Sequence, residues 1–156
     1  MYLKHLKITN FKNISSFEED FSQINCFVGN NGVGKTNILD AVHYLALAKS
    51  MHTLTDSQSV RHGEDSFLVD GRFRRDDGRV DQVVCSYTRR GGKTLKRNGK
   101  EYDKLSDHVG GFPIVVVSPA DSALISDSAE ERRRYLNRFI SQIDRGYLSQ
   151  LIRYNT

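Results

Sequence analysis

Gly29-Asn30-Asn31-Gly32-Val33-Gly34-Lys35-Thr36 fits the pattern G-x-x-x-x-G-K-[ST] and constrains this chain more than any other stretch. Its flanks fit the same reading. Ile24 to Val28 is a short apolar run, predicted to be a buried strand, and Asn37 to Ala46 carries Ile38, Val42 and Leu45 at helical spacing. A strand, a glycine-rich loop and a helix in that order make a phosphate cradle. The glycines let the main chain approach a phosphate closely, and consecutive N–H groups with the helix's positive end bind the anion. The candidate contacts are Gly29, Asn30, Asn31, Gly32, Val33, Gly34, Lys35, Thr36 and Asn37. Lys35 would place an ammonium on the β- and γ-phosphates, and the Thr36 hydroxyl would ligate the Mg2+ that bridges them.

The rest of the chain is predicted to build an antiparallel meander beside this core. Leu3–Ile8 reads as a first strand and Phe17–Phe21 as its hairpin partner. Phe67, Val69, Gly71 and Phe73 alternate along one strand, and Val83, Cys85 and Tyr87 along the next, with Asp77-Gly78 as the turn between them. Gly91-Gly92 turns the chain again, and Asn98-Gly99 joins Thr94–Arg97 to Lys100–Tyr102. Ser50 to Asp65 reads as loop with one short helical turn. Ile114-Val115-Val116-Val117 is predicted to be a fully buried strand. Ser118-Pro119-Ala120-Asp121 then marks a helix start, with Ser118 as N-cap and Asp121 as the acid of a capping box. Ser128 to Glu131 repeats that signal before a helix with Leu136, Phe139, Ile140 and Ile143 on one face, which Arg145-Gly146 breaks. Tyr147, Leu148, Leu151 and Ile152 open a further amphipathic helix that stops mid-pattern, so the chain reads as the first part of a longer protein.

Composition narrows the classes. A chain of 156 residues is long enough for a real core, and it carries neither an apolar run that would span a membrane nor a signal-peptide pattern. The expectation is a soluble, cytoplasmic protein. Cys26 and Cys85 lie in apolar runs and are predicted to be buried free thiols. The five histidines form no H-x-x-x-H pair, so no metal site is expected beyond the nucleotide's Mg2+. The formal charge is +4, compatible with a nucleic-acid partner.

Half of an ATP site is missing. A P-loop ATPase also holds its metal with an acid at a strand end. Ile114–Val117 is followed by Ser118-Pro119, and Asp121 falls in the predicted helix, so it is not that acid. No G-x-x-x-x-[ST] or D-x-x-G switch pattern fits a GTPase, and no N-K-x-D guanine-reading motif appears.

Three separated blocks carry a family resemblance. Tyr2-Leu3-Lys4 through Asn10-Phe11-Lys12-Asn13, the P-loop with Asn37-Ile38-Leu39-Asp40-Ala41, and Ser118-Pro119-Ala120-Asp121 with Arg132-Arg133-Arg134-Tyr135-Leu136-Asn137 resemble the RecF family in order. These are bacterial DNA repair and recombination mediators related to the head domains of SMC and Rad50 ATPases. The resemblance implies an α/β fold: a P-loop NTPase, lobe I of an ABC-type ATPase head with an antiparallel β-meander. Residues 1–128 would form lobe I, and 129–156 would begin the helical second lobe. It further implies ATP and Mg2+ as cofactors, ATP-dependent binding to single-stranded and double-stranded DNA, an ATP-dependent homodimer, RecR as a partner, and roles in replication and the SOS response. The family's signature motif and strand-end acid come later in its sequences. This chain is therefore expected to bind ATP without turning it over, with no catalytic residue of its own, whereas the full-length dimer would be an ATPase. Lys12 and Asn13, on the turn after the first strand, are secondary nucleotide candidates by the same resemblance.

Cations crowd Arg72–Lys104. Arg89, Arg90, Lys93, Lys96 and Arg97 are candidate DNA-phosphate contacts, read against a merely solvated face. Arg132, Arg133 and Arg134 occupy successive helical positions and cannot all face one way. A nucleotide-independent interaction module with a relic P-loop is the alternative function.

Overall fold

The computed structural model describes residues 1–122 and 129–155. It contains two compact units, Met1–Asp103 and Lys104–Thr156, so the boundary expected after residue 128 falls inside the second unit.

The first unit is built on a six-stranded antiparallel sheet in the order β2-β1-β3-β4-β5-β6. Its strands are β1 (Tyr2–Phe11), β2 (Ile14–Asp20), β3 (Ser66–Arg74), β4 (Val80–Thr88), β5 (Gly92–Arg97) and β6 (Lys100–Glu101). The alternation in the sequence fixes the faces. Leu6 and Ile8 of β1, Phe67, Val69 and Phe73 of β3, and Val83 and Cys85 of β4 are all buried. Their neighbours Lys7, Arg72 and Arg74 are exposed. The turns follow their chemistry. Asn98 and Gly99 both take positive φ, 51° and 81°, the pair of left-handed residues that a tight two-residue hairpin needs.

Helix α1 (Lys35–Leu47) packs on β1, β3 and β4. Ala41, Tyr44 and Leu45 of this helix are fully buried. Each large apolar side chain so buried contributes about 1.5–3 kcal/mol. Phe11, Tyr44 and Phe67 meet edge to face at centroid distances of 5.2–5.7 Å. Gly71 lies where β3 passes under the helix, and a Cβ there would collide with the Leu45 side chain. The helix ends at Ala48, which is left-handed at φ 54° and returns its N–H to the Tyr44 carbonyl at 2.8 Å.

Two predicted strands do not form. Ile24–Val28 pairs with no strand among the described residues, and Ile24 and Val28 are 89 % and 90 % exposed. Cys26 is exposed there as well, not buried as expected. The chain just before this run is taken up by local bonds. Ser22 N–H donates to Asn25 Oδ1 at 3.0 Å, and Asn25 Nδ2 donates to the Ser22 carbonyl at 2.8 Å, a side-chain turn that competes with a ladder. Ile114–Val117 is likewise unladdered, with Val117 83 % exposed. It is anchored by the amide of Gln142, which accepts from Ile114 N–H at 2.8 Å and donates to the Ile114 carbonyl at 3.1 Å. Apolar composition predicts a strand, but a buried strand also needs a neighbouring backbone.

The second unit carries a short 3-10 turn at Leu105–Asp107, another at Pro119–Ser122, and helices α2 (Ala129–Ile143) and α3 (Arg145–Asn155). The expected helix at Ser118 is that second turn. One half of its capping box is made: Asp121 Oδ2 accepts from Ser118 N–H at 2.5 Å. The capping signal at Ser128 lies outside the described residues. Leu136, Phe139 and Ile143 lie on α2 as predicted, but they are largely exposed rather than buried. Asp144 separates the helices and accepts from Tyr147 N–H at 2.9 Å.

Candidate nucleotide-binding site

The P-loop sits at the start of α1, and its geometry follows from three glycine-dependent features. Gly32 and Gly34 take positive φ, 84° and 107°. At Gly34 a Cβ would press on Asn13 Oδ1 at 3.0 Å and Ile14 Cγ1 at 3.3 Å, so only glycine allows the loop to lie this close to the β1–β2 turn. No side chain caps the helix, so its first-turn N–H groups keep their donors for another acceptor.

Asn13 joins the turn to the loop. Its Nδ2 donates to the Gly32 carbonyl at 2.7 Å, and its Oδ1 accepts from Asn37 Nδ2 at 2.7 Å. One amide therefore fixes both the crest of the loop and the first turn of the helix. Asn13, Asn31, Gly32, Gly34, Lys35, Thr36 and Asn37 together line a cavity of about 240 Å3. The Lys35 ammonium donates to the carbonyls of Gly29 and Asn30 at 2.7 and 2.8 Å. It is held inside the loop by neutral acceptors, which a phosphate would outcompete, because charge-assisted bonds are about twice as strong. Thr36 is exposed at the helix start and lines this cavity, where its hydroxyl is open to a metal. Donors, cavity and hydroxyl therefore fit a nucleotide phosphate with its Mg2+. Asn30 and Val33 are exposed on the loop.

Lys12 takes a different place from its neighbour. Its ammonium pairs with the fully buried carboxylate of Asp40, and it donates to Ser50 Oγ at 3.1 Å. Asp40 is further held by Ser50 Oγ at 2.7 Å and Met51 N–H at 2.6 Å. This network anchors α1 under the β1–β2 turn. Sequence reasoning missed it: the signal was a lone Asp on the apolar side of a helix.

The cations from Arg89 to Arg97 divide. Lys93 pairs with Asp56 at 2.9 Å and donates to the Ala48 carbonyl at 2.8 Å, neutralising the end of α1. Arg97 pairs with Asp81 at 2.9 Å, and Arg75 reaches the same carboxylate at 2.7 Å. Burial opposes the ionisation of Asp81, but hydrogen bonds from Asn98, Arg75 and Arg97 hold it well below the usual carboxylate range. Arg89 makes a loose pair with Asp65 at 3.6 Å. Arg90 and Lys96 are exposed with no partner among the described residues. Of the three successive arginines of α2, Arg134 pairs with Glu130 one turn earlier at 2.7 Å. Burial and the hydrogen bond to Asp56 raise the Tyr44 phenol far above its ordinary value, so Tyr44 is a neutral structural donor.

Comparison with known proteins agrees with this geometry. The family model described as "AAA ATPase domain" matches residues 1–106, the sheet and the P-loop together. The chain belongs to this family. It is 49 % identical to the DNA replication and repair protein RecF of Bacteroides fragilis over 156 residues, and 48 % identical to that of Flavobacterium johnsoniae over 155. It spans 99 % of itself in both matches but only 42 % and 43 % of the relatives' length. A solved structure of "the recombination mediator protein RecF-ATP in RecFOR pathway" superposes with a TM-score of 0.92 at 32 % identity, covering 99 % of this chain and 42 % of that one. An SMC ATPase structure superposes with a TM-score of 0.70 at 21 % identity over 88 % of this chain and 99 % of its own, a likeness of fold alone. The fold is that of an ABC-type ATPase head, as the resemblance implied. No described helix is long and apolar enough to cross a membrane.

Proposed function

We propose that this chain is the ATP-binding lobe of a RecF-like DNA repair and recombination mediator. The observation that carries the reading is the cavity of about 240 Å3 at the uncapped start of α1, with Lys35, Thr36 and the Asn13-braced Gly32 around it. Lys35 exchanges the Gly29 and Asn30 carbonyls for phosphate oxygens. Asn13 holds the loop in register while it does so, and Asn37 holds Asn13. Lys12 supports the turn from behind through Asp40. When bound at Thr36, Mg2+ supplies neutralisation of phosphate charge. No catalytic acid is assigned, and the chain by itself binds ATP with negligible turnover.

In the same reading, Arg89, Arg90 and Lys96 meet DNA phosphates, single-stranded or double-stranded, while Lys93 and Arg97 keep structural roles. ATP-dependent homodimerisation, RecR as partner and a cytoplasmic location follow by analogy with the relatives. The test is calorimetry. Lys35→Ala should weaken ATP binding at least about a hundredfold, since charge-assisted bonds to phosphate are the strong ones, with an unchanged circular dichroism spectrum. Thr36→Ala should weaken binding in Mg2+ more than in EDTA. Near-normal affinity in Lys35→Ala would overturn the assignment and favour an interaction module.

A further inference from the structure

A second cationic site is built within the unit Lys104–Thr156. Lys104, Ser106 and Asp107, together with Arg145, Leu148, Ser149, Ile152 and Arg153 of α3, line an open cleft of about 350 Å3. Arg145, Ser149 and Arg153 are four residues apart and so lie along one face of the helix. None of the Lys104, Arg145 and Arg153 side chains has an ion-pair or hydrogen-bond partner among the described residues. Three unpaired cations thus share one concavity with a single carboxylate, Asp107.

The placement of Arg145 is itself unfavourable. It is the first residue of α3, where the positive end of the helix dipole disfavours a cation. An anion in the cleft would relieve that repulsion and use the same dipole. The span selects among anions. Arg145 and Arg153 are separated by about 12 Å along the helix, three to four steps of a DNA strand at about 3.4 Å each. Two cations anchored so far apart suit an extended polyanion better than a lone phosphate, and the lining has no aromatic ring on which a base would stack.

We propose that this cleft binds the sugar–phosphate backbone of a nucleic acid, with Arg145 and Arg153 on phosphates about three to four steps apart and Lys104 and the Ser149 hydroxyl on the backbone between them. The proposal rests on the DNA-binding reading above and adds a second phosphate track to it. Backbone contacts of this kind are independent of base sequence and release counterions.

The experiment is fluorescence anisotropy of a labelled 20-base-pair duplex with the whole chain at 50 and 200 mM salt. The variants are Arg145→Gln/Arg153→Gln, the hairpin set Arg89→Gln/Arg90→Gln/Lys96→Gln, and Asp107→Asn. The double cleft variant should bind at least about tenfold more weakly at 50 mM, with its salt slope reduced by about 2. Asp107→Asn should bind up to about fivefold more tightly, a gain that misfolding cannot imitate. Binding that is unchanged in the double cleft variant, but lost in the hairpin set, overturns the cleft and leaves the DNA reading standing. Failure of every protein, including the parent, to bind duplex at 50 mM overturns both. A parallel titration with inorganic phosphate separates the sources: if the double cleft variant loses phosphate binding but keeps duplex affinity, the cleft is a small-anion pocket and the backbone assignment fails.

Discussion

Strand β4 and the run Ile24–Val28 have similar apolar sequences, each with a cysteine at its centre, yet they end in opposite environments. Val83, Cys85 and their neighbours on β4 are laddered on both sides, to β3 and β5, and covered by α1. Ile24, Cys26 and Val28 are unladdered and open to solvent. The difference teaches that β-branched composition supplies only half of a strand. The other half is a partner whose N–H and C=O groups match, together with a face to cover the side chains. Ile114–Val117 makes the same point within the second unit, where one glutamine amide stands in for a ladder.

The two cysteines give the largest expected contrast. Cys26 should react with a thiol reagent at the rate of a small-molecule thiol. Cys85 is fully buried, and burial pushes its thiol up to about 12 against the opposing pull of Lys93. Its labelling must await global opening, so it should be slower by at least about a thousandfold. Mass spectrometry of timed labelling checks this, and equal rates would mean that β4 is no better protected than the loop.

Stability provides a smaller but sharper contrast. Leu6→Ala removes a fully buried side chain from β1 and should cost about 2–5 kcal/mol in urea denaturation. Val28→Ala should stay within about 0.5 kcal/mol, as an exposed site without partners. A comparable loss at Val28 would show that the run is packed in solution.

The smallest effect concerns Asp81, at the far end of β4, where Arg75, Arg97 and Asn98 converge. Asp81→Asn should cost about 1–3 kcal/mol at pH 7. The native carboxyl titrates below its unfolded value of about 3.9. Its contribution is therefore complete above that value and is lost as pH falls through the native one. The gap between parent and variant should narrow progressively as pH falls below about 4, and a gap constant with pH would assign the loss to packing.

What the residues determined alone is local. The motif from Gly29 to Thr36 dictates a cradle, because only glycine takes the angles at Gly32 and Gly34 and only a helix start leaves donors unpaired. The alternation of Phe67 to Phe73 and Val83 to Tyr87 dictates which face of the sheet is buried, and Asn98-Gly99 dictates a tight turn. Tertiary structure decided whatever depends on residues distant in sequence. It took Lys12 to Asp40 while sending Asn13, one residue on, to the P-loop. It split Lys93 and Arg97 from Arg90 and Lys96, which composition could not tell apart, because a cation's role is set by whether a carboxylate from another element reaches it. It left Ile24–Val28 and Ile114–Val117 unladdered, because a strand's hydrogen bonds belong to its neighbour as much as to itself.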